Sequence, residues 1–218
     1  MEVPSKKRSR PRARSSGKRQ KVKKTPDGGQ ATNSRRDDII EAAAECFANT
    51  GYDATAMRDI AKRTGILAGS IYYHFASKEE ILVAVHEEAV RRIRNKVLKA
   101  IDVEADAWTR LVQASTAYVE SLVIERKFAE VIITEFPRRR SRTVRKRLVA
   151  HRDEFEQIFR DIVEDLPLEP WVDRSIWRLA LLSELAWTMI WYRKRGKTAT
   201  EIAEHLVALL RYRTGAPD

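Results

Sequence analysis

Met57-Arg58-Asp59-Ile60-Ala61-Lys62-Arg63-Thr64-Gly65-Ile66-Leu67-Ala68-Gly69-Ser70-Ile71-Tyr72-Tyr73-His74-Phe75 is the stretch on which the fold turns. Two short helices that cross steeply through a tight turn need a small residue at their closest approach, a glycine in the turn, and apolar residues that hold the angle. Ala61, Gly65 and the set Ile60, Ile66, Ile71 and Phe75 meet those needs in order. Ile71 and Phe75 are four apart and face one side of the second helix, which turns Ala68, Gly69, Ser70, Tyr72 and Tyr73 outward. Small side chains let a helix backbone approach base edges in a DNA major groove, and tyrosine hydroxyls reach phosphates.

Outward from this stretch the pattern stays helical. A helix is expected from about Ser34 to Asn49, with Ile39, Ile40, Ala43 and Phe47 on one face, stopping at Gly51. Thr55 stands where it can cap a helix over Ala56 to Arg63, and Ser77 with Glu80 has the spacing of a capping box opening a fourth helix. Further helices are expected near Trp108–Arg126, Phe128–Phe136, Ser141–Asp165, Trp171–Arg195 and Ala199–Tyr212, punctuated by Pro137, Pro167, Pro170 and Gly196. No sustained period-2 alternation argues for strands, so the fold is expected to be all-α.

Charge divides the chain unevenly. The 218 residues carry a net +11, and the same excess is found within residues 1–36, where thirteen Lys or Arg stand against Glu2 and Asp27. Residues 1–34 are therefore read as a disordered basic arm, suited to DNA phosphates or else to keeping the protein soluble. Residues 35–82 form the helix-turn-helix unit, and 83–218 a second helical domain. The single cysteine, Cys46, is expected to fill the core, and the four histidines offer no zinc spacing. Neither a nucleophile–base pair nor a glycine-rich phosphate loop is present to support an enzyme. No cofactor is expected. The longest apolar run, Leu179 to Ile190, is too short to span a bilayer, so a cytoplasmic protein with no membrane partner is expected. A sequence-independent architectural DNA binder is the remaining rival.

Gly51-Tyr52-Asp53-Ala54-Thr55-Ala56-Met57-Arg58-Asp59-Ile60-Ala61, then Gly65 to Phe75, then Ser77-Lys78-Glu79, closely resembles the N-terminal domain of TetR-family regulators. The resemblance implies a dimeric, ligand-released regulator of double-stranded operator DNA. It places Thr55 and Arg58 on phosphates, Leu67, Ala68, Gly69 and Ser70 over bases, Tyr72 and Tyr73 on backbone, and Lys78 on a further phosphate. His74 joins that surface, with a structural hydrogen bond as its alternative role.

Trp187-Thr188-Met189-Ile190-Trp191-Tyr192, Gly196 and Thr200-Glu201-Ile202-Ala203 resemble the C-terminal end of TetR regulators of fatty-acid or sterol catabolism. Those relatives respond to acyl-CoA thioesters, which implies a long apolar cavity with a cationic mouth. Trp108, Tyr118, Phe128, Phe155, Phe159, Trp187 and Met189 are the candidate lining, unless they are ordinary core. Arg138, Arg139, Arg140, Arg142, Arg145 and Lys146 are the candidate mouth, unless they are a solvated surface. Leu179 to Ile190 is apolar nearly all round, so one side must meet something besides its own domain. A homodimer through the last two helices follows, with Ile202, Ala203, Leu206, Val207 and Leu210 as the second stripe.

Overall fold

A computed structural model of the chain describes residues 28–134, 141–193 and 195–213, all helix and connecting turns with no strand among them. Nine helices are described: α1 Gly28–Thr50, α2 Met57–Thr64, α3 Ala68–His74, α4 Lys78–Ala100, α5 Ala107–Ile124, α6 Arg126–Thr134, α7 Arg142–Glu164, α8 Arg174–Trp191 and α9 Ala199–Arg213. Each falls within a few residues of its expected place except at the start of α1, which begins six residues before Ser34. Residues 28–34, read as the end of the disordered arm, are instead the first turns of α1, and residues 1–27 of the arm lie outside the described residues.

Local chemistry sets the boundaries. Gly51 and Gly65 both take positive φ, 79° and 69°, and end α1 and α2 where any other residue would be strained. After Gly65 the Ile66 N–H reaches back 3.1 Å to the Ala61 carbonyl, which consumes an orphaned acceptor at the helix end. Asp106 accepts from the N–H groups of Trp108 and Thr109 to open α5, and Asp173 does the same for Ser175 and Ile176 at α8. Thr198 and Glu201 make a reciprocal box at α9: the Thr198 N–H donates 2.7 Å to the Glu201 carboxylate and the Glu201 N–H 3.2 Å to the Thr198 hydroxyl.

One expected cap is corrected, and one capping box forms only in half. The N-cap of α2 is Ala56, whose N–H donates to Asp59 Oδ2 at 2.8 Å. Thr55 is buried, with its hydroxyl donating 2.7 Å to the Gly51 carbonyl inside the preceding turn. At Ser77 the hydroxyl accepts from the Glu80 N–H at 3.2 Å, but the Glu80 carboxylate is taken by Arg147 at 2.9 Å. Only half of that box forms, because a long-range ion pair claims its other member.

The apolar faces build two large cores and a small third cluster of Val83, Val144 and Leu148. Ile39, Ala43, Phe47, Ile60, Ile71, Phe75, Ile81 and Val85 fill the first, and Cys46 is half-buried against it as core filler. Ile93, Leu111, Leu122, Phe159, Trp177, Leu181, Leu185 and Val207 fill the second, where α5 packs against α4, α8 and α9. Two helices belong to both cores. The N-terminal half of α4 lies in the first and its C-terminal half in the second, while α6 puts Phe128 and Val131 into the first and Ala129 into the second.

Candidate DNA-binding face and ligand cavity

The outer face of α3 is as bare as its periodicity requires. Ile71 is fully buried, while Leu67 is 80% exposed and Tyr73 81%. Ala68, Gly69, Ser70 and Tyr72 are exposed beside them. Arg58 on α2 projects into solvent with only a long 3.9 Å approach to Asp59. His74 is half-buried and stacks edge-on against Tyr73, with ring centroids 5.2 Å apart. Large apolar side chains held in water on a seven-residue helix need a partner to explain them, and a major groove fits their size.

Two residues expected on phosphates have other work. The Lys78 ammonium donates to the carbonyls of Tyr52 (2.7 Å), Thr55 (2.7 Å) and Asp53 (3.3 Å), and it lies 4.4 Å from the Tyr52 ring centre. All three of its protons are used within the protein, so it clamps the turn between α1 and α2 instead of reaching out. Thr55, buried within that turn, is corrected in the same way: its hydroxyl serves the Gly51 carbonyl and approaches Thr50 at 2.9 Å.

Behind this unit lies a cavity of about 220 Å³. His86, Val90 and Ile93 of α4, Tyr118 and Leu122 of α5, and Ile132 and Ile133 of α6 form one side of it. Phe155 with Arg152 and Glu156 of α7, and Leu182 with Ser183 of α8, close the other. The wall is mostly apolar, with a few polar groups set into it, the usual composition of a small-molecule site. Its size departs from the expected long cavity, since it falls below the roughly 300–1,000 Å³ of sites that enclose a drug-sized ligand.

Of the seven apolar residues expected in the lining, Tyr118 and Phe155 are there, their rings 4.9 Å apart. Phe159 is wholly buried behind them, in edge contact with both rings. Phe128 is core of the first domain, with the Arg92 guanidinium 4.3 Å over its ring. Met189 is buried in the second core. Trp108 packs against Trp177 at 6.1 Å and under Arg211, away from the lining. Trp187 is 60% exposed. These four share helical spacing with true lining residues, and spacing does not tell core from cavity.

The cationic mouth is corrected only where it falls on described residues. Arg138, Arg139 and Arg140 lie outside the described residues. Arg142, Arg145 and Lys146 are exposed at the start of α7, where Ser141 and Arg147 meet Glu79 and Glu80 of α4. Ten residues separate Arg142 from Arg152, about 15 Å along a helix. Among the described residues the cation lining the cavity is Arg152, whose Nε lies 3.3 Å from Glu156; Glu156 also faces the buried Arg178 at 3.6 Å.

His86 was missed because a lone histidine on an apolar face gives no sequence signal. It is 4% exposed, and its Nδ1 lies 3.4 Å from Nδ1 of His151. Burial, with the His151 ring beside it, lowers its pKa to about 4, so it is neutral at ordinary pH. Burial, reinforced by the Glu156 carboxylate, raises the Tyr118 pKa, so that phenol stays protonated. Among the described residues no group of three or more His, Cys, Asp or Glu could hold a metal, and no helix is long and apolar enough to cross a membrane.

A bare recognition helix on a small three-helix unit, joined through shared helices to a domain with a cavity, defines a one-component DNA-binding regulator. Residues 39–85 match the bacterial regulatory proteins of the tetR family, and residues 104–212 match the tetracyclin repressor-like C-terminal domain. The chain belongs to the TetR family and is a DNA-binding transcriptional regulator. It is 28% identical over 193 residues to the transcriptional repressor KstR2 of Mycolicibacterium smegmatis, covering 85% of this chain and 93% of that one. Among solved structures it resembles a tetR-family regulatory protein from Rhodococcus RHA1, with a TM-score of 0.75, 27% identity and coverage of 84% and 98%. The ketosteroid transcriptional regulator KstR2 of Mycobacterium tuberculosis gives a TM-score of 0.70, 25% identity and coverage of 85% and 97%.

Proposed function

We propose that the protein is a homodimeric repressor that leaves its operator when an apolar small molecule, an acyl-CoA ester in the first instance, enters the cavity between α4 and α8. The observation that carries this is the shared membership of α4 and α6. The same helices that line the cavity with His86, Val90, Ile132 and Ile133 also pack Ile81, Val85, Phe128 and Val131 into the core beneath the recognition helix.

Arg58 and the outer face of α3, from Leu67 through Tyr73, meet the duplex, with Tyr72 and Tyr73 on backbone and the small residues against base edges. The dimer forms through the outer faces of α8 and α9. On α8, Ile176, Trp187 and Ile190 stand exposed, as do Leu209 and Tyr212 on α9; Leu179, also partly exposed, lines the cavity instead. The α9 stripe first assigned to the dimer is corrected: Ile202, Ala203 and Val207 are buried in the subunit's own core. As a regulator whose relatives are also regulators, the protein works in the cytoplasm without catalytic activity.

Two recognition helices must stand about 34–36 Å apart to enter successive major grooves. An effector that binds better to a form with the wrong separation releases the DNA, and DNA weakens effector binding by the same factor. The likeness to the ketosteroid transcriptional regulator KstR2 favours a ligand of steroid origin, and the 220 Å³ cavity favours a compact acyl group over a long chain. The test is to map the DNA the protein protects beside its own gene and titrate that complex with CoA esters of graded size. Release by short or alicyclic esters is expected. Release by none of them rejects the CoA ester as effector.

A further inference from the structure

Two polar groups stand in the apolar wall of the cavity with hydrogen-bonding capacity unspent. His86 is 96% buried and Tyr118 is 91% buried, and both line it. The Nδ1 of His86 faces His151, but its Nε2 has no partner among the described residues; the Tyr118 hydroxyl, in contact with Phe155 and Phe159 through its ring, has none either. Beside them the Glu156 carboxylate, held by Arg152 and Arg178, is a strong acceptor at the same wall. Neither atom is sealed off by protein, so a ligand that enters the cavity can reach both and supply the missing partner.

We propose that His86 and Tyr118 form a polar anchor that selects an effector whose buried group is compact and carries a hydroxyl. This rests on the cavity being the effector site. A hydroxyl can both donate and accept, so it satisfies a neutral imidazole in either tautomer, and it satisfies a phenol in the same way. A bare hydrocarbon would bury both groups without partners, at a cost that rejects it. The volume bounds the group that is held inside: a closed site of about 150 Å³ holds benzene, and this partly open one is roughly half as large again, enough for a hydroxylated six-membered ring. His86 belongs to α4, so the anchor lies on a helix that also supports the recognition unit.

The experiment is direct binding to the full-chain protein, without DNA, of cyclohexanecarbonyl-CoA and its 3- and 4-hydroxy derivatives, alongside cyclohexanol and methylcyclohexane as CoA-free probes. At least one hydroxy ester is expected to bind about tenfold or more tightly than the parent ester. Tyr118→Phe, which removes one oxygen and keeps the ring, should cut that preference, as should His86→Phe, while His86→Gln should retain part of it. Equal binding of hydroxy and parent compounds overturns the anchor, and so does a preference untouched by Tyr118→Phe and His86→Phe alike. If no ester binds but cyclohexanol still outbinds methylcyclohexane through these residues, the CoA reading falls and the anchor stands. If cyclohexanol shows no preference either, both fall.

Discussion

Lys78 and Tyr72 lie six residues apart and look alike as candidate phosphate contacts, yet their surroundings give them opposite roles. Lys78 has its three protons on the carbonyls of Tyr52, Asp53 and Thr55, so Lys78→Ala leaves a turn of backbone acceptors without a donor. A loss of about 1–3 kcal/mol of stability is expected from charge-assisted bonds of this kind. Tyr72 is 56% exposed and touches no core, so Tyr72→Ala should leave the melting midpoint nearly unchanged while weakening cognate and random DNA alike. Urea denaturation and DNA titration of the two variants side by side separate the cases. A Lys78→Ala protein of wild-type stability with weakened DNA binding would restore the phosphate role.

Among the helices, α6 and α4 are tied to α1 by charge as well as by apolar packing. Lys127 of α6 lies 2.5 Å from Glu41 and 3.2 Å from Glu45, Arg92 of α4 pairs with Glu41, and Arg63 of α2 pairs with Glu45. Burial works against the ionised Glu45, but hydrogen bonds from Lys127 and Arg63 outweigh it and hold its pKa below the usual value. Partly exposed pairs of this sort add little to stability individually. Their expected consequence is mechanical: on the proposed effector site, displacement of α6 by a ligand against Ile132 and Ile133 would be felt at α1. Lys127→Met is expected to leave the affinity for DNA within a few-fold of wild type and to reduce the factor by which effector weakens it, by about 0.5–2 kcal/mol of coupling. Measuring effector affinity with and without operator checks this; an unchanged coupling factor would take α6 out of the path.

At the scale of the whole molecule, the outer face of α8 is the proposed dimer contact that would make two recognition helices act together. Trp187, Ile190 and Trp191 of α8 are exposed in the single chain, as are Leu209 and Tyr212 of α9. Central aromatic residues dominate such contacts, so Trp187→Glu together with Ile190→Glu should weaken the dimer by at least about 2 kcal/mol, some thirtyfold. Sedimentation should show monomer at concentrations where wild type is dimer, with helical content retained. Affinity for a two-half-site operator should fall with it, while affinity for a single half-site should not. A variant that stays dimeric moves the interface elsewhere.

The recognition unit was legible in the sequence because its determinants are local. Gly65 between two helices, and Ile71 with Phe75 on one face, fix the turn and the exposed surface of α3 by steric and periodic rules that operate within about twenty residues. The all-α class and most helix ends followed from the same rules. The cavity was only partly legible: Tyr118 and Phe155 could be named, but Phe128 and Met189 have the same chemistry and spacing and belong to core. Which apolar face of a helix meets a void, and which a neighbour, depends on how α4, α5, α7 and α8 close around it, and nothing in any one helix encodes that. The same holds for charge. Lys78 at a helix start and Arg142 in a basic run look free in sequence; a turn twenty-six residues upstream fixes the first, and the length of α7 carries the second far from the cavity. His86 is decided wholly by tertiary structure, because its burial and its facing His151, sixty-five residues away, arise only when α4 and α7 pack.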